Sequence, residues 1–178
     1  MTPRSCWCSI IKLNHLRKIA ARSLALFAAQ AGKAAFAAAT AVGAAEDKLI
    51  IGLKSFTGTR RRFELKGEVG GVKVIDDYGH HPTELTVTLI AAKNLAQSGR
   101  VLVVFQPHRY SRTAAFAPAF ATALQIADFT FLLEVYAASE KPISGVSSLL
   151  IAKNMTDAQV KFEPSMLTVV SEVAVMAK

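Results

Sequence analysis

Residues 100–113 read RVLVVFQPHRYSRT, and the fold turns on how this stretch is read. Five apolar residues, Val101 to Phe105, run without a break and are bounded by Arg100 and Gln106. A continuous, valine-rich run of this length is the pattern of a strand buried on both faces, as in a parallel sheet. The residues just after it are polar and charged: His108, Arg109 and Arg112 within seven positions. A second stretch, residues 75–83, IDDYGHHPT, repeats the arrangement after the apolar run VKVI.

Working outward from these two runs, strands and helices alternate. EDKLIIGLKSF, residues 46–56, has helical spacing. RRFELKGEV and GVKVID flank Gly70-Gly71, a hairpin signal. PTELTVTLIAAKNLAQ starts with proline in its first turn and reads as a helix. RTAAFAPAFATALQIA reads as a helix with a kink or a late start at Pro118. FTFLLEVY is a strand, SGVSSLLIAKNM a short helix, AQVKFEP a short strand, and SMLTVVSEVAVMAK a last helix. The alternation predicts an α/β fold with a Rossmann-like, open, mostly parallel sheet and flanking helices. Residues 72–76, 101–105 and 129–134 are expected as neighbouring strands.

The chain has 178 residues and a net charge of +8. Six of its 21 Lys and Arg residues lie in residues 1–45, ahead of the first acid at Glu46. Fifteen basic and thirteen acidic residues remain, so residues 46–178 are nearly neutral. A nucleic-acid or membrane-surface partner would have to be recruited by the N-terminal segment; none is expected for the domain. The segment SLALFAAQAGKAAFAAATAVGAA, residues 23–45, is too weakly apolar for a membrane span. Residues 1–45 as a whole read as one or two Ala-rich helices, the tail of a preceding domain, rather than a targeting sequence. Cys6 and Cys8 are the only cysteines, too close for an ordinary disulfide and too few for a zinc site. No metal site is expected.

In open α/β sheets, ligands bind beyond the carboxyl ends of the parallel strands. If the two runs are parallel, both polar clusters share one rim. Arg109 and Arg112 offer planar forks for a carboxylate or phosphate. The helix opening at Pro82 adds backbone donors and a positive dipole end. His80, His81 and His108 can hydrogen-bond or exchange protons. The plainer alternative is a packed polar rim: aspartates as caps or turn formers, histidines as satisfied neighbours, arginines as a solvated face.

Three stretches in order, RRRFELKGEVGGVKVIDDYGHHPTEL, VVFQPHRYSRT and EVYAASEKPISGVSS, resemble the C-terminal domain of the Mur ligases. The second stretch is similar to the members that add L-alanine; a murein tripeptide ligase relative is the alternative, as is a stand-alone, non-catalytic nucleotide or amino-acid module. The resemblance implies an ATP-dependent ligase of peptidoglycan biosynthesis, serving cell wall biogenesis, cell shape and cell division in the cytoplasm. It implies ATP and Mg2+ in the complete enzyme, with L-alanine and UDP-N-acetylmuramate as further partners. On matching positions it implies Tyr78, His80, Arg109 and Arg112 at the L-alanine site. It assigns Arg62 and Asp77 to ATP, leaves His81 and His108 as further candidates, and places no catalytic residue on this chain.

The chain also departs from the family's pattern. No G-x-x-x-x-G-K-[ST] phosphate loop occurs; QAGKAAF lacks its first glycine and its Ser/Thr. The glycine-rich UDP-sugar motif and the family's last strand are also missing. The expected organisation is a basic segment 1–45 without resemblance and a domain 46–178 truncated at its C-terminal end, inactive by itself.

Overall fold

A computed structural model describes residues 8–12, 32–56, 58–156 and 159–177. The chain divides into two compact units, one of residues 1–14 and 60–178, the other of residues 15–59.

In the smaller unit, residues 32–41 form helix α1. Gly43, at φ 85°, ends it: Ala44 N–H bonds Ala39 O and Gly43 N–H bonds Thr40 O, a Schellman closure. Helix α2, Glu46–Ser55, carries Glu46 and Asp47 in its first turn and Lys54 in its last, each matching the helix dipole. None of its residues is buried.

The larger unit is built on a six-stranded sheet: β1 Cys8–Lys12, β2 Glu64–Val69, β3 Val72–Asp76, β4 Val101–Phe105, β5 Phe129–Leu132 and β6 Val160–Phe162, in the order β2-β3-β1-β4-β5-β6. β4, β5 and β6 are parallel. β2 and β3 form the expected hairpin, with Gly70 and Gly71 at φ 58° and 79° as a two-residue turn of this kind demands. Helices α3 Pro82–Ala96, α4 Tyr110–Leu124, α5 Leu149–Ala152 and α6 Met166–Met176 complete the alternation.

Four expectations are corrected by this arrangement. Residues 8–12, inside the segment read as Ala-rich helix, are a strand; CSIIK holds a β-branched pair and no alanine. β3 and β4 are not neighbours, because β1 lies between them, antiparallel to both. That geometry still makes β3 run in the direction of β4, so their carboxyl ends share one edge. Pro118 lies within α4, yet the helix begins at Tyr110, so the late start does not occur. The helix expected over 144–155 is confined to Leu149–Ala152.

The core explains the β4 sequence. Val101, Val103 and Phe105 pack with Leu89 of α3 and Phe120 and Leu124 of α4. Leu102 and Val104 point the other way, to Phe131, Leu133, and Val169 and Val173 of α6. All five β4 residues are buried, which is why no polar residue interrupts the run. No helix among the described residues is long and apolar enough to cross a membrane.

One ion pair ties α3 to the β5 entry. Asp128 accepts from Lys93 Nζ at 2.6 and 2.7 Å and from Val101 N–H at 2.6 Å. Burial pushes its carboxyl up, but Lys93 and the Val101 N–H outweigh burial and hold it below the usual value of 3.8. A depressed carboxyl contributes stability above its unfolded pKa and loses it as pH falls through the folded one. Asp128→Asn is therefore expected to be less stable than the parent at pH 7, with the gap closing below about pH 4. Melting temperatures of both proteins across pH check this; a gap that stays constant into acid would contradict it.

Candidate ligand site at the carboxyl edge of the sheet

The loop after β3 is fastened by its second aspartate. Asp77 Oδ2 accepts from Phe63 N–H at 2.8 Å, and Oδ1 accepts from Gly79 N–H at 2.7 Å and the Thr88 hydroxyl at 3.2 Å. Tyr78 N–H bonds Arg61 O at 2.7 Å. These bonds knit residues 61–63 to residues 77–79 and hold Arg61 and Phe63 at φ 58° and 47°, conformations non-glycine residues adopt at a cost. The Arg61 and Arg62 guanidinium carbons lie 4.6 and 5.7 Å from the centroid of the Tyr78 ring. Arg62 is exposed and 3.7 Å from Glu84. Asp77 thus spends most of its acceptor capacity inside the chain. Asp76 differs: its Oδ1 is buried without a hydrogen-bond partner, and burial pushes its carboxyl up despite Arg61 at 3.8 Å.

The start of α3 orders the histidines. His80 Nδ1 lies 3.1 Å from Tyr78 O, which only accepts. Nδ1 therefore carries a hydrogen, with Glu84 Oε2 also 3.4 Å away, and in the uncharged form of the ring Nε2 is the lone-pair nitrogen. Glu84 takes the backbone N–H groups of His80 and His81 at 3.0 and 3.3 Å. Burial pushes the Glu84 carboxyl up, but those two bonds and the charges of His80 and Arg62 together hold it below the usual carboxylate range. His81 is the N-cap of α3: its Nδ1 accepts from Thr83 N–H at 3.3 Å, and its ring stands edge-on to Phe116 at 5.1 Å. Its ring is thereby engaged in capping and packing.

Beyond β4 and β5 the parallel pairing continues into the loops. Leu133 N–H bonds Phe105 O, Tyr136 N–H bonds Pro107 O, and Arg109 N–H bonds Tyr136 O, at 2.8–2.9 Å. This register sets the His108 ring 5.5 Å from Tyr136 and 6.4 Å from His80. Arg109, at φ 76°, is held by bonds from Thr113 N–H and the buried Thr113 hydroxyl to its carbonyl. One helical turn on, Arg112 Nη1 reaches His108 Nδ1 at 3.3 Å and His108 O at 3.4 Å. A guanidinium only donates, so Nδ1 of His108 accepts and Nε2 bears the hydrogen. Burial, then Arg112, Arg109 and His80, push the His108 pKa down, with Glu140 partly opposing. His108 is consequently neutral at pH 7.

Tyr78, His80, His108, Arg109 and Arg112 are thus brought to one edge by separate loops. The set combines a lone-pair nitrogen, a ring N–H donor and guanidinium forks. It suits a small ligand with one anionic and one cationic end. Sequence reading missed Glu84, Thr113, Tyr136 and Glu140. The first carried a signal in the H-x-x-E spacing of a capping box with histidine in place of Ser or Thr.

The fold is an open α/β sheet, with β4, β5 and β6 parallel and helices packed on both of its faces. The chain belongs to the Mur ligase family, whose glutamate ligase domain matches residues 61–178. It is 50% identical over 144 residues to a UDP-N-acetylmuramate–L-alanine ligase of Mycobacteroides abscessus, covering 79% of this chain and 29% of that protein. The enzyme of that name from Mycolicibacterium smegmatis is 48% identical over 147 residues, 82% and 30% of the two chains. Among solved structures, the UDP-N-acetylmuramate–alanine ligase of Thermotoga maritima superposes with a TM-score of 0.58 at 28% identity, over 74% of this chain and 28% of that one. A murein peptide ligase of Psychrobacter arcticus gives 0.56 at 28% identity, over 81% and 30%. The chain therefore spans about 30% of the length of the curated relatives it matches.

Proposed function

We propose that this chain is the amino-acid-presenting part of a UDP-N-acetylmuramate–L-alanine ligase, acting in peptidoglycan precursor synthesis in the cytoplasm. In the complete reaction the muramate carboxylate attacks the γ-phosphorus of ATP and ADP leaves. The amine of L-alanine, once its ammonium has given up a proton, then attacks the acyl phosphate carbonyl; phosphate leaves, and the nitrogen loses a second proton to solvent as the amide forms. Such chemistry depends mostly on positioning and electrostatics. Here the L-alanine carboxylate meets the Arg112 fork, with Arg109 beside it. The His80 Nε2 lone pair receives a hydrogen bond from the ammonium, and Tyr78 walls the site. Arg62 and the remaining acceptor capacity of Asp77 face the ATP ribose and phosphates. In the complete enzyme Mg2+ would accompany ATP and offset the charge of its phosphates; among the described residues no group of three or more His, Cys, Asp or Glu is arranged to hold a metal ion.

The observation that carries this reading is the convergence of two separate motifs, with His80 6.4 Å from His108 and His108 bonded to Arg112. Alone, the chain is expected to release no ADP from ATP, because it contains no phosphate loop. Exchanged for the matching part of the Mycobacteroides abscessus ligase, it is expected to support ADP release that depends on L-alanine. Release by such a chimera that is indifferent to L-alanine would contradict the assignment.

A further inference from the structure

The two arginines of the rim have different surroundings. Arg112 bonds to His108, and no ion pair joins it to an acid among the described residues. Arg109 Nη1 lies 3.6 Å from Glu140 Oε1. Glu140 stands in the loop after β5, and it also accepts from the Ser111 hydroxyl at 2.6 Å and the Ser111 N–H at 3.0 Å. Ser111 is in the first turn of α4, whose N-cap, Arg109, provides no side-chain cap. Glu140 therefore supplies the missing acceptor from 29 residues away, and places an anion at the positive end of the helix. The bonds from Ser111 hold its carboxyl below the usual carboxylate range. Its side chain is only 23% exposed, unlike that of a freely solvated surface acid. The backbone beneath is equally constrained, with Arg109 in a left-handed conformation pinned by Tyr136 and Thr113.

We propose that Glu140 is a positioning residue that fixes the Arg109 guanidinium and the first turn of α4, so that the rim presents one ordered, charge-balanced arginine beside Arg112, which has no acid partner among the described residues. Arg112 is then the group that takes the ligand carboxylate. Arg109 orients the site without competing for the anion. Without Glu140 the Arg109 side chain is released, and the order of the site beside Arg112 is lost. This inference rests on the assignment of the rim to L-alanine.

The test compares the full chain with Glu140→Gln, which keeps the size and one acceptor but removes the charge. Relaxation of the Arg109 Nε–H resonance reads side-chain order without any ligand. Titration with L-alanine, followed by amide shifts, reads affinity. Expected are an ordered Arg109 in the parent, a mobile one in the variant, and L-alanine affinity about tenfold weaker in the variant at a temperature where both are folded. A purely structural cap would lower the melting temperature alone. Unchanged or tighter L-alanine binding by the variant overturns the inference, as does equal mobility of Arg109 in both proteins. A parent chain that leaves L-alanine unbound sinks the functional reading, and this inference with it.

Discussion

Arg112→Ala, made in the chimera with the Mycobacteroides abscessus ligase, is expected to raise the KM for L-alanine by about two to three orders of magnitude and leave the KM for ATP nearly unchanged. L-alanine offers one methyl, one amine and one carboxylate, so little else can hold it. Truncating one partner of a desolvated, hydrogen-bonded charge pair costs about 2–5 kcal/mol. Arg112 is well placed for that part: half-buried, donating to a neutral His108, and without an acid partner among the described residues. Arg112→Lys should fare poorly as well, since an ammonium cannot reproduce the fork. Steady-state kinetics of the two variants decide the matter. A lysine variant with near-normal L-alanine KM would reduce Arg112 to a member of a solvated helix face.

Deletion of residues 1–14 is expected to unfold the larger unit. β1 is short, but it is central by position, with four register pairs to β3 and four to β4. Its removal separates the β2–β3 hairpin from β4 and leaves two facing rows of backbone groups unpaired. At about 1 kcal/mol per ladder bond, the loss is on the order of 5 kcal/mol or more. A typical domain has only about 5–15 kcal/mol in total. Circular dichroism and size-exclusion chromatography of the deletion variant check this. A monomeric, cooperatively melting product with an unchanged midpoint would show that β1 does not belong in the sheet.

The elements that could be read from the sequence were those whose burial is local and complete. β4 is apolar throughout because both of its faces are covered, by α3 and α4 on one side and α6 on the other. α3 announced itself through Pro82, and the β2–β3 hairpin through Gly70-Gly71. β1 did not, because its partners lie about sixty or more residues away and nothing in CSIIK encodes that pairing. The helix over 144–155 shrank to Leu149–Ala152 because tertiary contacts claim the residues before it. Ser148, fully buried, donates its hydroxyl to Leu133 O and its N–H to Glu134.

The site shows the same division. His80, His108 and Arg112 are chemically distinctive and come soon after β3 and β4, whose carboxyl ends share one edge because both run antiparallel to the β1 between them. What each nitrogen does was not legible in the sequence. The tautomers depend on Tyr78 O and Arg112 Nη1, and so on loop geometry. His81 has the chemistry of a site residue but serves as a helix cap, a place where Ser, Thr, Asp or Asn is the ordinary choice. Glu140 looks like one loop acid among thirteen Asp and Glu residues until the fold sets it on Ser111.

The measurement that bears most directly on the candidate site is a titration of the isotopically labelled chain with L-alanine, monitored residue by residue by NMR. The expected result is saturable shifts confined to Tyr78, His80, His108, Arg109, Ser111 and Arg112, abolished by Arg112→Ala and not reproduced by methylamine, which lacks the carboxylate. Saturable shifts that leave these residues untouched, or none at concentrations well above the millimolar range, would contradict a single L-alanine site at the carboxyl edge of the sheet.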